Sequence, residues 1–249
     1  MTQLKITVRI YTIYALAIVA FLIASSAFSS AQQLIWQGHT WAVTKGGMAG
    51  VVPADPRNVS IDGKGYLHLN ITNTSGTWTG AQLFTVDNLP FGTFQWVVEG
   101  DVWNMDPVIV LGLFPYGPEN GIGKDGTNEI DIEFSQWANT CGCNADFTIY
   151  PALFHKYRSS YNRNFTVKNG KNLTTARMEW SSTSVVFTLM SGVQPIGTRA
   201  NVLQTATYTS SNTTNIPQHP LPVGMNLWAY TAVPATPQAV IIRSFEYRP

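Results

Sequence analysis

Short runs in which apolar and polar side chains alternate recur along the chain, with turn-forming residues between them. Successive side chains of a strand point to opposite faces, so such alternation marks strands with one buried side. Tyr66-Leu67-His68-Leu69-Asn70-Ile71 follows the turn Asp62-Gly63-Lys64-Gly65, and Phe94-Gln95-Trp96-Val97-Val98 follows Pro90-Phe91-Gly92. Residues 108–114 are almost continuously apolar, the pattern of a strand buried on both sides. Further strands are predicted over 129–134, 147–150, 176–180, 184–189, 223–228 and 239–247. After the first segment, no long window repeats with helical periodicity. Many short strands at regular spacing predict an all-β fold, an antiparallel sandwich or a barrel.

The first segment has another pattern. Lys5 and Arg9 precede an apolar run, and Ser25, Ser26, Ala27, Ser29, Ser30 and Ala31 follow it. That order predicts a secretory signal peptide over 1–31, with cleavage after Ala31 or after Ala27. Its roughly 15 apolar residues fall short of the ~20 that a membrane-spanning helix needs. The expected mature chain, 32–249, has the length of one all-β domain, exported and with no membrane partner. Without Lys5 and Arg9 its 13 basic and 14 acidic residues give a formal charge of −1. No basic patch appears, so a nucleic-acid partner is not expected. Cys141 and Cys143 flank Gly142; in an exported chain they suit either a local disulfide or a bridge to another chain.

Charge is concentrated in one place. Three of the chain's 14 acidic residues stand in Glu129-Ile130-Asp131-Ile132-Glu133. On a strand, Glu129, Asp131 and Glu133 share one face while Ile130, Ile132 and Phe134 share the other. Acidic residues are depleted in strands, and like charges held as neighbours repel. Acid/base chemistry explains the arrangement: breaking a glycosidic bond takes one carboxyl to protonate the leaving oxygen and another to meet the cationic carbon. Asp131 between them would hydrogen-bond a neighbour and make a second ionisation harder. A calcium site and a solvated acidic strand are the alternatives, although calcium usually draws its ligands from flexible loops. His39, His68, His155 and His219 show no ligand-like spacing, and no Gly-X-Ser-X-Gly elbow occurs.

The run Glu129-Ile130-Asp131-Ile132-Glu133-Phe134 resembles the signature of glycoside hydrolase family 16, in the form without an inserted bulge residue found in licheninases and xyloglucan endotransglycosylases. Phe114-Pro115-Tyr116 resembles the aromatic pair that precedes the motif in bacterial licheninases. Met225-Asn226-Leu227-Trp228 resembles the family's cleft-lining strand, and Ala176-Arg177-Met178-Glu179-Trp180 sits where the family has a strand ending in Trp. The resemblance implies a concanavalin A-like β-jelly-roll sandwich with a cleft on its concave face. It implies Glu129 as nucleophile, Asp131 as its assisting carboxylate and Glu133 as general acid/base, with no metal or other cofactor. The expected partner is a polysaccharide, a β-glucan by default, bound by a monomer. Transglycosylation on the same scaffold and lectin-like binding without turnover are the rival functions. Two positions depart from the pattern: Thr127-Asn128 replaces the licheninase Trp-Asp, and Phe84 stands where the family often has Arg.

Sugar rings present flat C–H faces that stack on aromatic side chains. Phe114, Tyr116, Tyr150, Asn226 and Trp228 are the expected substrate contacts on this reading. Trp137 lies just past the motif, and Trp180 is expected in the core.

Overall fold

The computed structural model describes residues 32–117, 128–152, 158–168 and 170–249. The signal-peptide reading of 1–31, Thr127 and His155 lie outside the described residues. Among the described residues, sixteen strands form two antiparallel sheets. The first sheet runs β1 (Gln32–Trp36), β2 (His39–Val43), β6 (Ala81–Thr85), β15 (Val223–Ala229), β8 (Ile109–Pro115), β9 (Glu129–Ser135), β10 (Ala145–Tyr150) and β11 (Tyr161–Phe165). The second runs β14 (Val202–Thr209), β13 (Ser184–Ser191), β12 (Leu173–Trp180), β7 (Gly92–Glu99), β16 (Gln238–Arg248), β4 (Leu67–Thr74) and β3 (Val59–Ile61), with β5 (Thr77–Thr79) paired to β4. The predicted sandwich is the observed one.

Apolar alternation drives the two sheets together. From the first sheet Leu83, Leu111, Leu113, Ile130, Ile132, Phe147, Ile149, Met225 and Leu227 are fully buried. From the second, Phe94, Trp96, Ala176, Met178, Phe187 and Leu189 meet them in one core. Phe147 of β10 stacks on Phe187 of β13 with centroids 4.7 Å apart, and Trp41 of β2 meets Phe245 of β16 edge-on at 5.5 Å. Trp180 is in the core as expected, its indole N–H donating to the Pro217 carbonyl at 3.0 Å.

The second sheet's outer face is closed by its own chain. Arg177 is 2% exposed. Its guanidinium donates to Gln95 Oε1 at 2.7 Å, the Thr198 carbonyl at 2.7 Å and the Pro195 carbonyl at 2.8 Å. Gln95 in turn donates to the Gln194 carbonyl at 2.8 Å. The segment after β13 is thus sewn onto this sheet, and the first sheet's outer face is the one left for a site. Charge-assisted hydrogen bonds contribute about 1.5–3 kcal/mol each, and Arg177→Ala removes a buried set of them. We expect that variant to lose roughly 3 kcal/mol or more of unfolding free energy, measured by urea titration with no change in the unfolding slope.

Candidate active site

Strand β9 has the two-faced character its sequence predicts. Ile130, Ile132 and Phe134 are fully buried in the core, so Glu129, Asp131 and Glu133 emerge together on the outer face of the first sheet. Cross-strand register extends that face. On β10, Tyr150 lies opposite Glu129, Thr148 opposite Asp131, and Asp146 opposite Glu133. On the other flank Gly112 lies opposite Glu133, and Tyr116 bridges to Glu129. The next strand places Asn226 opposite Gly112 and Gly224 opposite Phe114.

Two glycines give this floor its shape. A Cβ on Gly112 would meet the Asn226 amide oxygen and the Phe114 ring; one on Gly224 would meet Phe114 and Phe84. Their absence lets Asn226 lie across the sheet, its Oδ1 accepting the Gly112 N–H at 3.0 Å. It also seats Phe114, which is 5% exposed, edge-on to Phe84 at 5.8 Å. Phe84, where the family pattern has Arg, therefore belongs to an aromatic group with Phe114 and half-buried Tyr116. Asn128, the neighbour of the first carboxylate, accepts the Ala152 N–H on its Oδ1 at 2.7 Å.

The carboxyls are crowded and largely out of water. Asp131 is 4% exposed, whereas Glu129 and Glu133 each keep part of their surface open. Glu129 and Asp131 are hydrogen-bonded to each other, which two carboxyls achieve only when one holds a proton. Burial raises Glu129 to about 8, and the hydrogen bond from Asp131 acts against that rise. Asp131 lies well above the ordinary range through burial first, then the charges of Glu129, Glu133 and Asp146 and its own donation to Glu129. Burial, followed by the charges of Asp146 and Glu129, likewise holds Glu133 well above its usual value. The resulting order makes Glu129 the first of the three to ionise while Asp131 and Glu133 still retain protons, so that above its raised value one strand offers an anion, a hydrogen-bond donor to it and an acid.

An open pocket of about 230 Å³ lies on this face, lined by Glu133, Asp146, Thr148, Tyr150, Trp137 and Tyr230 among others. Tyr150 is half-buried, and burial together with the nearby carboxylates pushes its phenol up, so it stays a neutral hydrogen-bonding group. Trp228 is 7% exposed, walled by Trp137 and Tyr230 with ring centroids at 6.2 Å each. The ring surface that reaches the pocket comes instead from Trp137 and from Tyr230, which is 38% exposed.

Asp146, Thr148 and Tyr230 lie outside the expected site residues, and of the pocket-facing side chains of β10 only Tyr150 is among them. The signal for Asp146 was present: Ala145, Phe147 and Ile149 alternate with Asp146, Thr148 and Tyr150. A strand beginning at 147 leaves that fourth carboxyl out, whereas β10 begins at Ala145. Cys141 and Cys143, open to two pairings from sequence, are joined to each other. Among the described residues, no group of three or more His, Cys, Asp or Glu side chains is arranged to hold a metal ion.

No protein-family model and no curated protein sequence matches the chain. Solved structures do match. A β-glucanase of Bacillus licheniformis superposes with a TM-score of 0.65 at 17% identity, covering 89% of this chain and 99% of that one. A glycoside hydrolase family 16 endo-glucanase from Bacteroides ovatus gives 0.60 at 13% identity, with 84% and 94% covered. An immunostimulatory antigen and pseudo β-1,3-glucanase of Mycobacterium tuberculosis gives 0.60 at 15% identity, with 82% and 88% covered. At these identities the likeness establishes the fold, which is the β-jelly-roll sandwich of glycoside hydrolase family 16 structures.

Proposed function

We propose that the protein is an endo-acting, retaining glycosidase that hydrolyses a β-linked polysaccharide, a β-glucan by preference. The observation that carries this reading is the outward face of β9, where Glu129, hydrogen-bonded by Asp131 and the first of the three to ionise, lies two pleats from Glu133, which holds its proton longer and lines an open pocket. Retention needs the two acting carboxyls about 5–5.5 Å apart, spanning one glycosidic bond. Solved β-glucanases with this fold support the substrate class.

The reaction divides into two displacements. A carboxylate oxygen of Glu129 forms a bond to the anomeric carbon while the bond to the leaving oxygen breaks. Glu133 gives its proton to that oxygen, which departs as an alcohol. The hydrogen bond from Asp131 favours the ionised form of Glu129 against its burial and stabilises that form again when it leaves. Glu133, now a carboxylate, takes a proton from water as the water attacks the same carbon and releases Glu129. If a sugar hydroxyl takes the place of water, the same carboxyls perform transglycosylation. The leader read at 1–31 and the Cys141–Cys143 disulfide support an exported protein, and we take it to act as a monomer.

A second reading is carbohydrate binding without turnover. The departures at Thr127-Asn128 and Phe84, and the shared fold of a pseudo β-1,3-glucanase, favour it. Reducing-sugar release from lichenan, laminarin, xyloglucan, agarose and carrageenan separates the two. Wild type is expected to release sugar from at least one β-glucan and Glu129→Gln none above background. Equal binding by both proteins with no release would establish the binding reading.

Removing the acid should cost about 10²–10⁴-fold in rate on a natural glucan. With an aryl glycoside whose leaving group needs no proton, we expect azide to restore part of the Glu133→Ala rate by attacking the glycosyl-enzyme. The glycosyl azide should keep the substrate's anomeric configuration, read by NMR; an inverted product would exclude the double displacement. Burial raises Glu129, so kcat/KM should climb as pH rises through neutrality and Glu129 ionises, then fall when Glu133 loses its proton. A pH–rate profile flat from 5 to 9 would contradict these roles.

A further inference from the structure

Asp146 is a buried carboxyl that the mechanism above does not use. It is 2% exposed and lies directly across the strand pair from Glu133. Opposed residues on antiparallel strands hold their Cβ atoms about 4.5–5.5 Å apart, so the two carboxyls face one another over one pleat. A like charge in that position would ordinarily be selected against. Here it is supported on both oxygens. The Trp137 indole N–H donates to Oδ1 at 2.8 Å, and the Thr148 hydroxyl meets Oδ2 at 3.0 Å. Asn162 Nδ2 donates to the Thr148 hydroxyl oxygen at 2.7 Å, which leaves the hydroxyl hydrogen for Asp146. Both contacts therefore point donors at Asp146, the pattern that stabilises a carboxylate and disfavours its acid form.

The backbone after β9 is bent to deliver one of those donors. Trp137, Ala138 and Asn139 have φ of 48°, 53° and 62°, three successive non-glycine residues in the left-handed region. Each such residue costs about 1–2 kcal/mol in a side-chain-bearing backbone. The turn is tied down by the Trp137 N–H on Ser135 Oγ at 3.0 Å, the Ala138 N–H on the Pro107 carbonyl at 2.7 Å and the Cys141–Cys143 disulfide. A turn this costly, held in place from several directions, aims an indole N–H at a buried carboxylate.

We infer that Asp146 is a positioning residue: fixed as a carboxylate by Trp137 and Thr148, it keeps the proton on Glu133 until the leaving oxygen takes it. This rests on the glycosidase reading for its purpose, though not for its electrostatics. Once Glu133 has given up its proton, the same charge makes it a stronger base toward the incoming water. Among the described residues, the other groups around Glu133 are Asp131 and Glu129 on its own strand, Tyr150 on β10, and Tyr230 after β15. Gly112 and Phe114 of β8, Asn226 and Trp228 of β15, and Asn162 and Asn164 of β11 are the other described residues of this face, and none of these carries a positive charge. Burial raises Asp146 itself only to about 6, because its two donors oppose the rise, so it ionises before Glu129.

The test uses the full chain, with Asp146→Asn, Asp146→Glu and wild type compared in two readouts. The first is the pH profile of kcat/KM on the responsive glucan. The second is a ¹³C titration of glutamate side-chain carboxyls, with Glu133 assigned by the signal lost in Glu133→Gln. In Asp146→Asn we expect the alkaline limb and the Glu133 titration both to move down by about one pH unit, which is about ten-fold in kcat/KM above the limb. Asp146→Glu restores the charge and should stay near wild type, whereas a merely structural role would damage both variants alike. An unmoved Glu133 titration in a folded Asp146→Asn overturns the inference. So does a wild-type Glu133 that titrates at the ordinary value of about 4.3, which needs no variant to fold. A wild type that hydrolyses nothing overturns the glycosidase reading, and the titration still decides the role of Asp146.

Discussion

Everything at the site hangs on the burial of Ile130, Ile132 and Phe134. Each is fully inside the core, and burying a side chain of that size contributes roughly 1.5–3 kcal/mol. Strand side chains alternate with a period of two, so a slip of one residue would exchange this apolar row for Glu129, Asp131 and Glu133. That slip would lose the hydrophobic contribution and drive three carboxyls into the core without partners. The register of β9 is therefore fixed by its inner face. The outer face inherits its geometry from an energy term that involves no carboxyl.

Fixed geometry then determines protonation. Asp146, Glu133, Asp131 and Glu129 lie along two adjacent strands on one face. Burial penalises every charge there, and each ion makes its neighbours harder to ionise. The lowest-energy pattern separates the charges: Asp146 and Glu129 ionised, with Glu133 and Asp131 protonated between them. Asp146 takes a charge because Trp137 and Thr148 donate to it, and Glu129 takes one because Asp131 does. The difference in protonation between Glu129 and Glu133 follows from who donates to whom, since the two residues are chemically identical glutamates.

How much of this was legible in the sequence depends on where burial leaves a mark. Strands with a face in the core announce themselves by alternation, and β4, β7, β8, β9, β12, β13, β15 and β16 are all predicted within a few residues of their ends. The edge strands are not, and neither are the short interior strands β2 and β6, although each buries alternate residues. Tyr161–Phe165 is mostly exposed and reads as polar loop, as does Val202–Thr209, because an edge strand packs against few neighbours and needs little apolar patterning. At the site the same rule holds. Glu129, Asp131 and Glu133 are visible because their own strand alternates, whereas Asp146 becomes a partner of Glu133 only through pairing across 13 residues of sequence. Trp228 shows the limit from the other side. Its alternation with Leu227 correctly turns it away from the core, but Trp137 and Tyr230, from separate loops, cover most of its ring.

A face built this way also sets the protein's response to pH. Each carboxyl raised in the folded state keeps a proton that the unfolded chain releases near pH 4. Between that pH and the folded value, unfolding sheds protons, so stability declines as pH rises and the decline ends once the folded group ionises too. The window for Glu129 runs from about 4 to about 8, and for Asp146 from about 4 to about 6. Glu129 is only half-buried, which reduces its share, whereas Asp131 is closed off and carries more. The acids crowded on this face are thus the ones that weaken the fold as pH rises toward neutrality. The core beneath β9 and the hydrogen-bonded Arg177 layer on the opposite sheet supply the margin that allows four carboxyls to remain on one face.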